Sequence, residues 1–159
     1  DALTETYNRR ALADKLVQEV ERANRYSTQL ACLMIDVDNF KQINDVYGHL
    51  AGDVVLRQLG GIFRREQRTV DIVARFGGEE FVILLPATAV AGARIFADRV
   101  LKKVASYPFG EGGSAIRVTV SVGVACYPDE RVQDGEALLK LADQNLYKAK
   151  QEGRNRYRD

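Results

Sequence analysis

The stretch VDIVARFGGEEFVILLP, residues 70–86, decides the fold class, because two apolar, β-branched runs meet at a glycine pair. Gly77 and Gly78 suit the primed turn of a tight hairpin, so an antiparallel strand is predicted on each side. A hairpin in the middle of the chain argues against a doubly wound parallel sheet. Turn chemistry does not explain the two carboxylates that follow, Glu79 and Glu80.

Outside the hairpin, segments with helical spacing alternate with short apolar runs. Helices are predicted at residues 9–26, 39–46, around 55–63, around 93–104 and 138–149, and buried strands at 30–36 and 116–125. In the strand at 116–125, valines alternate with small or polar residues, so we expect helices to cover one face and leave the other free for a ligand. The predicted fold class is therefore α+β, a central, mostly antiparallel sheet with a GGEEF hairpin, flanked by helices.

Length, charge and cysteine content limit the classes of protein. The chain has 159 residues and a formal net charge of +1, which predicts one domain, residues 1–159, that binds no nucleic acid. Because it begins at Asp1, within a helical pattern, we expect it to be excised from a longer multidomain protein. Cys32 and Cys126 lack metal-binding spacing, and no apolar run approaches the roughly 18 residues of a membrane span. We expect a cytoplasmic domain without membrane contact, with any membrane anchor in a missing segment.

A second acidic cluster lies in MIDVDNFKQIND, residues 34–45, where a buried strand ends and a helix begins. Asp36 and Asp38 alternate onto the same side of the strand. The helix start offers main-chain N–H groups at Asn39, Phe40 and Lys41. Carboxylates beside free N–H groups suit a triphosphate bound with Mg²⁺, and Glu79 is placed to complete the metal site. The alternative is that Asp38 or Asn39 caps the helix and that the hairpin acids are solvated charges.

Five spaced motifs resemble the GGDEF domain of bacterial diguanylate cyclases, in order over essentially the whole chain. They are DALT with NRR, MIDVDNFKQINDVYGHLAGD, RFGGEEF, TVSVGVA and ADQNLYKAKQEGRNR. The resemblance implies a fold like the catalytic core of adenylyl cyclases and the palm of polymerases. It implies a nucleotidyltransferase that condenses two GTP into cyclic di-GMP and two pyrophosphates, with Mg²⁺ or Mn²⁺ as cofactor. It further implies that each 3′-hydroxyl attacks the α-phosphate on the other subunit of a two-fold homodimer. One departure is Glu5, where the family commonly has glycine.

Matched by position, the resemblance implies a role for each site residue. The implied metal ligands are Asp36, the Val37 carbonyl and Glu79, and the implied catalytic acids are Asp36, Glu79 and Glu80. Strand alternation favours Glu79 facing the site, but which glutamate is base and which is ligand stays open. The implied substrate contacts are Asn39, Phe40, Lys41, Asn44, Asp53, Gly77, Gly78, Lys150 and Arg154. A carboxylate at position 53 accepts from the N1–H and amine of guanine, which favours GTP over ATP. Without the resemblance, the glycines are turn residues. Lys150 and Arg154, predicted one helical turn apart in KAKQEGR, are then a basic helix C-terminus that favours the macrodipole.

An RxxD sequence precedes the hairpin. Arg68 and Asp71 make an exposed ion pair in the ordinary explanation. The resemblance implies instead an inhibitory product site, in which Arg68 contacts guanine or phosphate of cyclic di-GMP, Asp71 accepts from guanine, and Arg99 adds a second arginine. The alternative function is a catalytically inactive GGDEF-type sensor of cyclic di-GMP or GTP. The retained acids favour the enzyme over this sensor and over a purely structural dimerisation domain.

Overall fold

The structure is a computed structural model that describes residues 1–111 and 115–159. Within them the order is α1 (Arg9–Tyr26), β1 (Leu30–Val37), α2 (Phe40–Tyr47), α3 (His49–Glu66), β2 (Ile72–Gly77), β3 (Glu80–Pro86), α4 (Val90–Ser106), β4 (Val120–Tyr127), α5 (Gly135–Gln151) and β5 (Tyr157–Arg158). The predicted helices and strands are confirmed, although β4 begins at residue 120 rather than 116 and β5 was not predicted. Part of the glycine-rich loop in FGEGGS, residues 109–114, lies outside the described residues.

The sheet has the order β2-β3-β1-β4-β5, with β1 at its centre. Strand β1 is antiparallel to both β3 and β4, β2 is antiparallel to β3, and β5 runs parallel to β4. The predicted α+β class and the predicted central hairpin are therefore confirmed.

Helices cover both faces of the sheet. Helices α1 and α5 pack on the face that carries Cys32 and Met34, while α2, α3 and α4 pack on the face that carries Leu33 and Ile35. Every residue of β1 is buried. Because side chains alternate along a strand, Asp36 lies on the α5 side, at the point where β1 leaves the core.

The prediction that one face of β4 is free for a ligand is wrong over most of the strand. Gly123 lies under α5, and a Cβ built there would be 1.9 Å from the carbonyl oxygen of Ala142. The small residues on this face let a helix backbone approach the sheet closely. Near the start of β4, Ser121 pairs with Asp36 of β1 and is also buried, and its hydroxyl donates a hydrogen bond to Asp38.

The hairpin turns one residue later than the glycine pair suggests. Gly77 pairs with Glu80, so Gly78 and Glu79 form the turn, with Gly78 at φ +35°. The ladder shifts register between Arg75 and Gly77, as in a β-bulge. Glu79 therefore lies in the turn itself, and Glu80 is the first residue of β3.

Glu5 adopts the conformation that explains why glycine is common at its position. Its φ is +54°, in the left-handed region. Its carboxylate is paired with Arg64, which also donates to the Glu5 carbonyl oxygen at 3.2 Å. The non-glycine residue at this position thus keeps the left-handed backbone, and Arg64 of α3 contacts both its carboxylate and its carbonyl oxygen.

The two cysteines are free thiols on opposite faces of the sheet. Burial raises the pKa of Cys126 to about 11 and raises that of Cys32 further. Both thiols are therefore protonated at neutral pH and poor nucleophiles. Among the helices in the described ranges, none is long and apolar enough to cross a membrane.

Candidate active site

Asp36 forms the centre of an acidic site at the end of β1. It is only 7% exposed, and its Oδ2 accepts from the Lys150 ammonium at 2.9 Å. Burial raises the pKa of the Asp36 carboxyl, the Lys150 ammonium opposes the rise, and the Glu79 and Asp38 carboxylates add to it. Four charged groups from β1, the hairpin and α5 are thus close enough to influence one another.

Glu80 lies directly opposite Asp36 in the antiparallel ladder. Directly opposed residues of a ladder share a face, so Glu80 is on the Asp36 side. Burial, followed by the charge of Asp36, raises the pKa of Glu80. Strand alternation is therefore no ground for preferring Glu79, because Glu79 lies in the turn, where alternation does not apply. A cavity of about 540 Å³, lined by Glu80, Lys150, Asp143 and Tyr147 among others, opens beside this pair.

The donor set of this site fits Mg²⁺. Within residues 1–111 and 115–159, no three acidic, histidine or cysteine side chains already form a metal centre. The predicted ligand set needs fewer than three such side chains, because it combines the Asp36 and Glu79 carboxylates with the Val37 carbonyl. It leaves positions for water and phosphate oxygens, as Mg²⁺ prefers. Burial is the main cause of the raised pKa of Asp36, the Glu79 and Asp38 carboxylates add to the rise, and Lys150 opposes it. A divalent cation would favour the ionised carboxylates and offset the repulsion among them.

The alternative in which an acidic or amide side chain caps α2 is wrong. Asn39 occupies the N-cap position with φ +54° and makes no side-chain cap hydrogen bond. The Asp38 carboxylate accepts instead from the hydroxyls of Thr119 and Ser121 and from the N–H of Asn155. The first turn of α2, including Phe40 and Lys41, thus keeps its N–H groups available to an anion.

Of the two predicted guanine contacts, Asn44 packs against a glycine of α3, and Asp53 follows that glycine in sequence. A Cβ at Gly52 would lie 2.0 Å from Oδ1 of Asn44 and 3.2 Å from the Phe40 ring, so Asn44 rests against Gly52. Asp53 is the next residue of α3 and is exposed. The corner between α2 and α3 therefore holds the Asn44 amide against Gly52, and the exposed Asp53 is the next residue after that glycine.

Lys150 and Arg154 are not one turn apart on a helix, so that part of the interpretation is wrong. Helix α5 ends at Gln151, and Gly153 reverses the chain at φ +115°. The N–H of Arg154 donates to the Ala149 carbonyl at 3.0 Å and that of Gly153 to Lys150, the pattern of a Schellman C-cap. Arg154 thus lies in the turn beyond the helix.

Arg75 is a site residue that the sequence interpretation missed. Its Nε and Nη2 donate to the Gly78 carbonyl at 2.9 and 2.8 Å, and Nη1 lies 3.4 Å from the Asp1 carboxylate. It therefore holds the hairpin tip and ties it to the N-terminal segment. The available signal was a basic residue two positions before the glycine pair.

The RxxD residues form a close pair. Arg68 donates to Asp71 through Nη2 at 2.9 Å, through Nε and through its main-chain N–H, and also bonds Thr88 at 2.8 Å. The Arg68 side chain is 56% exposed, whereas that of Asp71 is fully buried. Asp71 would have to leave Arg68 to accept from guanine, so in this arrangement it positions Arg68. Arg99 pairs with Glu66 at 2.7 Å, at the end of α3 that leads to Arg68.

The RxxD pair and the acidic site lie at opposite ends of the sheet. Pro86, whose carbonyl oxygen is 3.4 Å from Arg68, pairs with Leu30 at the start of β1, whereas Glu80 pairs with Asp36 at its end. The two pairs are six residue steps apart along the strand, or about 20 Å. A cavity of about 790 Å³ borders Pro86 and the C-terminal end of α1 at the RxxD end, and it is larger than the one beside Glu80, so cavity size does not mark the acidic site.

Comparison with known proteins identifies what this arrangement resembles. The sequence model of the family described as "Diguanylate cyclase, GGDEF domain" matches residues 1–156. The chain is 45% identical over 156 residues to diguanylate cyclase DgcP of Pseudomonas aeruginosa, covering 98% of this chain and 23% of DgcP. It thus spans about a quarter of the length of that curated relative.

Solved structures show the same fold. The GGDEF domain of TpbB (YfiN) from Pseudomonas aeruginosa superposes with a TM-score of 0.94 at 39% identity, over 99% of this chain and 92% of that one. The GGDEF domain of DgcB from Caulobacter crescentus, solved in complex with c-di-GMP, gives a TM-score of 0.92 at 30% identity, over 99% and 93% of the two chains.

Proposed function

The chain belongs to the GGDEF family of diguanylate cyclases, and from that membership we propose that it condenses two GTP into cyclic di-GMP with release of two pyrophosphates. The observation that carries the proposal is the convergence of Asp36, Glu79 and Glu80 at one end of the sheet, with the Lys150 ammonium against Asp36. Burial, together with the charge of neighbouring carboxylates, raises the pKa values of Asp36 and Glu80, a cost that a purely structural domain has no reason to carry.

The residues around Asp36 would hold a divalent cation and the triphosphate. Asp36, the Val37 carbonyl and Glu79 would bind Mg²⁺ or Mn²⁺, which offsets phosphate charge and favours ionisation of the attacking 3′-hydroxyl. Lys150 contributes a positive charge beside the same carboxylate. The uncapped N–H groups at the start of α2, and Arg154 in the turn after α5, donate to phosphate oxygens.

The α2–α3 corner selects the base. The Asp53 carboxylate accepts from the N1–H and amine of guanine, while adenine has an acceptor where guanine has N1–H. Asn44, held against Gly52, supplies an amide beside it. GTP is therefore the expected substrate.

The reaction calls for two copies of the domain. Each copy holds one GTP, and the 3′-hydroxyl of one attacks the α-phosphate of the other, so that two equivalent bonds form and two pyrophosphates leave. A single copy cannot close the ring. The rate per mole of protein is expected to rise with protein concentration until the dimer is saturated.

The test is product formation by nucleotide-free protein. The chain is incubated with GTP and Mg²⁺ beside Asp36→Asn and a matched Asp14→Asn, which alters an exposed aspartate of α1. We expect cyclic di-GMP from the unmodified chain and from Asp14→Asn, and none from Asp36→Asn. Folded, dimeric protein that binds GTP but forms no product would overturn the cyclase and favour the sensor.

We also propose that Arg68 binds the product and inhibits turnover. The exposed Arg68 guanidinium, held by buried Asp71, offers a fixed donor for phosphate or guanine. Since about 20 Å of strand separates it from Asp36, inhibition is expected to lower kcat without raising the KM for GTP.

Arg68→Ala tests this site. We expect turnover to persist as cyclic di-GMP accumulates, whereas Arg65→Ala, an exposed arginine of the same helix end, keeps the inhibition of the unmodified chain. Equal inhibition of Arg68→Ala and the unmodified chain would contradict the proposal.

A further inference from the structure

We infer that Asp38 is a positioning residue, which ties the end of β1 to the turn that carries Arg154 and so determines where the triphosphate is held. The inference rests on the proposed function, because it assigns Asp38 a part in binding the same nucleotide. Its basis is the set of hydrogen bonds that the Asp38 carboxylate accepts.

The Asp38 carboxylate joins three separate segments. It is 5% exposed and accepts from Thr119 Oγ1 at 2.7 Å, from Ser121 Oγ at 2.7 Å and from the main-chain N–H of Asn155 at 3.1 Å. Its own N–H donates to the Thr119 carbonyl at 2.9 Å. The end of β1, the start of β4 and the C-terminal turn thus meet at one side chain.

A buried carboxylate requires donors, and those of Asp38 are neutral. In the described parts of the chain, the hydrogen-bond donors to the Asp38 carboxylate include no lysine or arginine. The nearby Lys150 ammonium pairs with Asp36 instead. Burial of a charge without such partners is costly, so the three donors are what hold the carboxylate in place. The same bonds, in return, hold the segments that donate them.

The turn after α5 depends on such a restraint. Arg154 and Asn155 both have positive φ, +62° and +45°, which is unfavourable for residues other than glycine. Main-chain bonds hold the turn on either side, from Arg154 to Ala149 and from Val122 to Arg156. Between them, Asp38 holds the Asn155 N–H. Removing the carboxylate frees the backbone at the residue next to Arg154.

Charge is the competing explanation. Asp38 is close enough to raise the pKa of Asp36, so its charge alone could favour a cation there. An asparagine separates the two explanations, because its oxygen can accept from Asn155 while its amide donates to a hydroxyl. Asp38→Asn therefore keeps the restraint and loses the charge.

The experiment measures binding of guanosine 5′-(α,β-methylene)triphosphate with Mg²⁺ by titration calorimetry. This analogue cannot release pyrophosphate, so binding is observed without turnover. We expect Asp38→Ala to raise Kd about tenfold, the loss of roughly one charge-assisted contact. In an Arg154→Ala background the same change is expected to have no further effect, and Asp38→Asn is expected to bind like the unmodified chain.

The control is Asp134→Ala, which removes the N-cap of α5 at its far end and should reduce stability without changing Kd. If Asp38→Ala does not fold, Thr119→Val removes one donor to the carboxylate and is expected to raise Kd by a smaller factor, again only when Arg154 is present.

Each result has a distinct meaning. Three results would overturn the inference alone. They are unchanged Kd for Asp38→Ala, a rise in Kd from Asp38→Ala that adds to the rise from Arg154→Ala, and an Asp38→Asn variant that binds as weakly as Asp38→Ala. Failure of the unmodified chain to bind the analogue would overturn the proposed function on which the inference rests.

Discussion

Gly123→Ala is expected to destabilise the domain strongly and to displace α5 from the sheet. The added Cβ would lie 1.9 Å from the Ala142 carbonyl oxygen and 2.2 Å from the Leu146 nitrogen. Ordinary contact begins near 3.4 Å, so α5 and β4 must separate by about 1.5 Å. Because both obstacles are backbone atoms, no rotamer change relieves the overlap.

The magnitude follows from overpacking. Extra volume in a packed core lowers the free energy of unfolding by about 1–3 kcal/mol. Because Gly123→Ala displaces a whole helix, we expect a loss near the upper value, about 3 kcal/mol. Helix α5 also carries Lys150, whose bond to Asp36 is 2.9 Å. A helix shift of about 1.5 Å is enough to break that contact, so nucleotide binding is expected to weaken as well.

Urea unfolding followed by circular dichroism measures the effect. The control is Gly61→Ala in α3, where the nearest atom to an added Cβ is Arg65 Nη1 at 3.6 Å. There alanine is expected to stabilise the helix by about 0.5–1 kcal/mol. A Gly123→Ala midpoint equal to or above that of the unmodified chain would refute the close packing of α5 on β4.

Three further outcomes are expected. Gly52→Ala, whose Cβ would lie 2.0 Å from Asn44 Oδ1, should raise the KM for GTP through displacement of Asn44, and an unchanged KM would contradict that contact. Glu80→Gln should raise the melting temperature of the metal-free chain at pH 7 but not at pH 3. The folded-state pKa of Glu80 is raised, so the stabilising contribution of Glu80 is present at low pH and is lost as the pH rises through that pKa. An equal shift in melting temperature at both pH values would count against this reasoning. Lys150→Met should lower the free energy of unfolding of the metal-free chain by about 1–3 kcal/mol, because it removes the charged partner of Asp36. Mg²⁺ should recover part of this loss. No change in denaturant unfolding would show that the Lys150–Asp36 pair does not stabilise the fold.

Much of the fold was predictable from local patterns. Helical spacing located α1 and α5, and the glycine pair located the hairpin, because these signals depend on residues within a few positions of one another. The approximate place of the site was predictable for the same reason. Asp36 ends a buried strand, and a run of acids at such a place has few structural explanations.

The partners of the site residues were not predictable in this way. Asp38 resembles a helix cap in sequence, but its donors lie more than 80 positions away, just before and within β4 and beyond α5. The alternation that favoured Glu79 failed because the turn shifted by one residue, which placed Glu80 opposite Asp36. Gly123 was predicted to lie on an open face of the sheet, but α5 covers it.

The sequence by itself determined the identity and order of α1 to α5 and of β1 to β4, the central hairpin and the acids that surround the site. The tertiary structure alone decided that Asp71 is buried behind Arg68, that Lys150 reaches Asp36 and that Asp38 joins β1 to the turn bearing Arg154. The physical reason is the range of the interactions. Backbone propensity and amphipathic period act over one turn or one strand, whereas register, helix packing and charge pairing arise only when both faces of the sheet are buried at once.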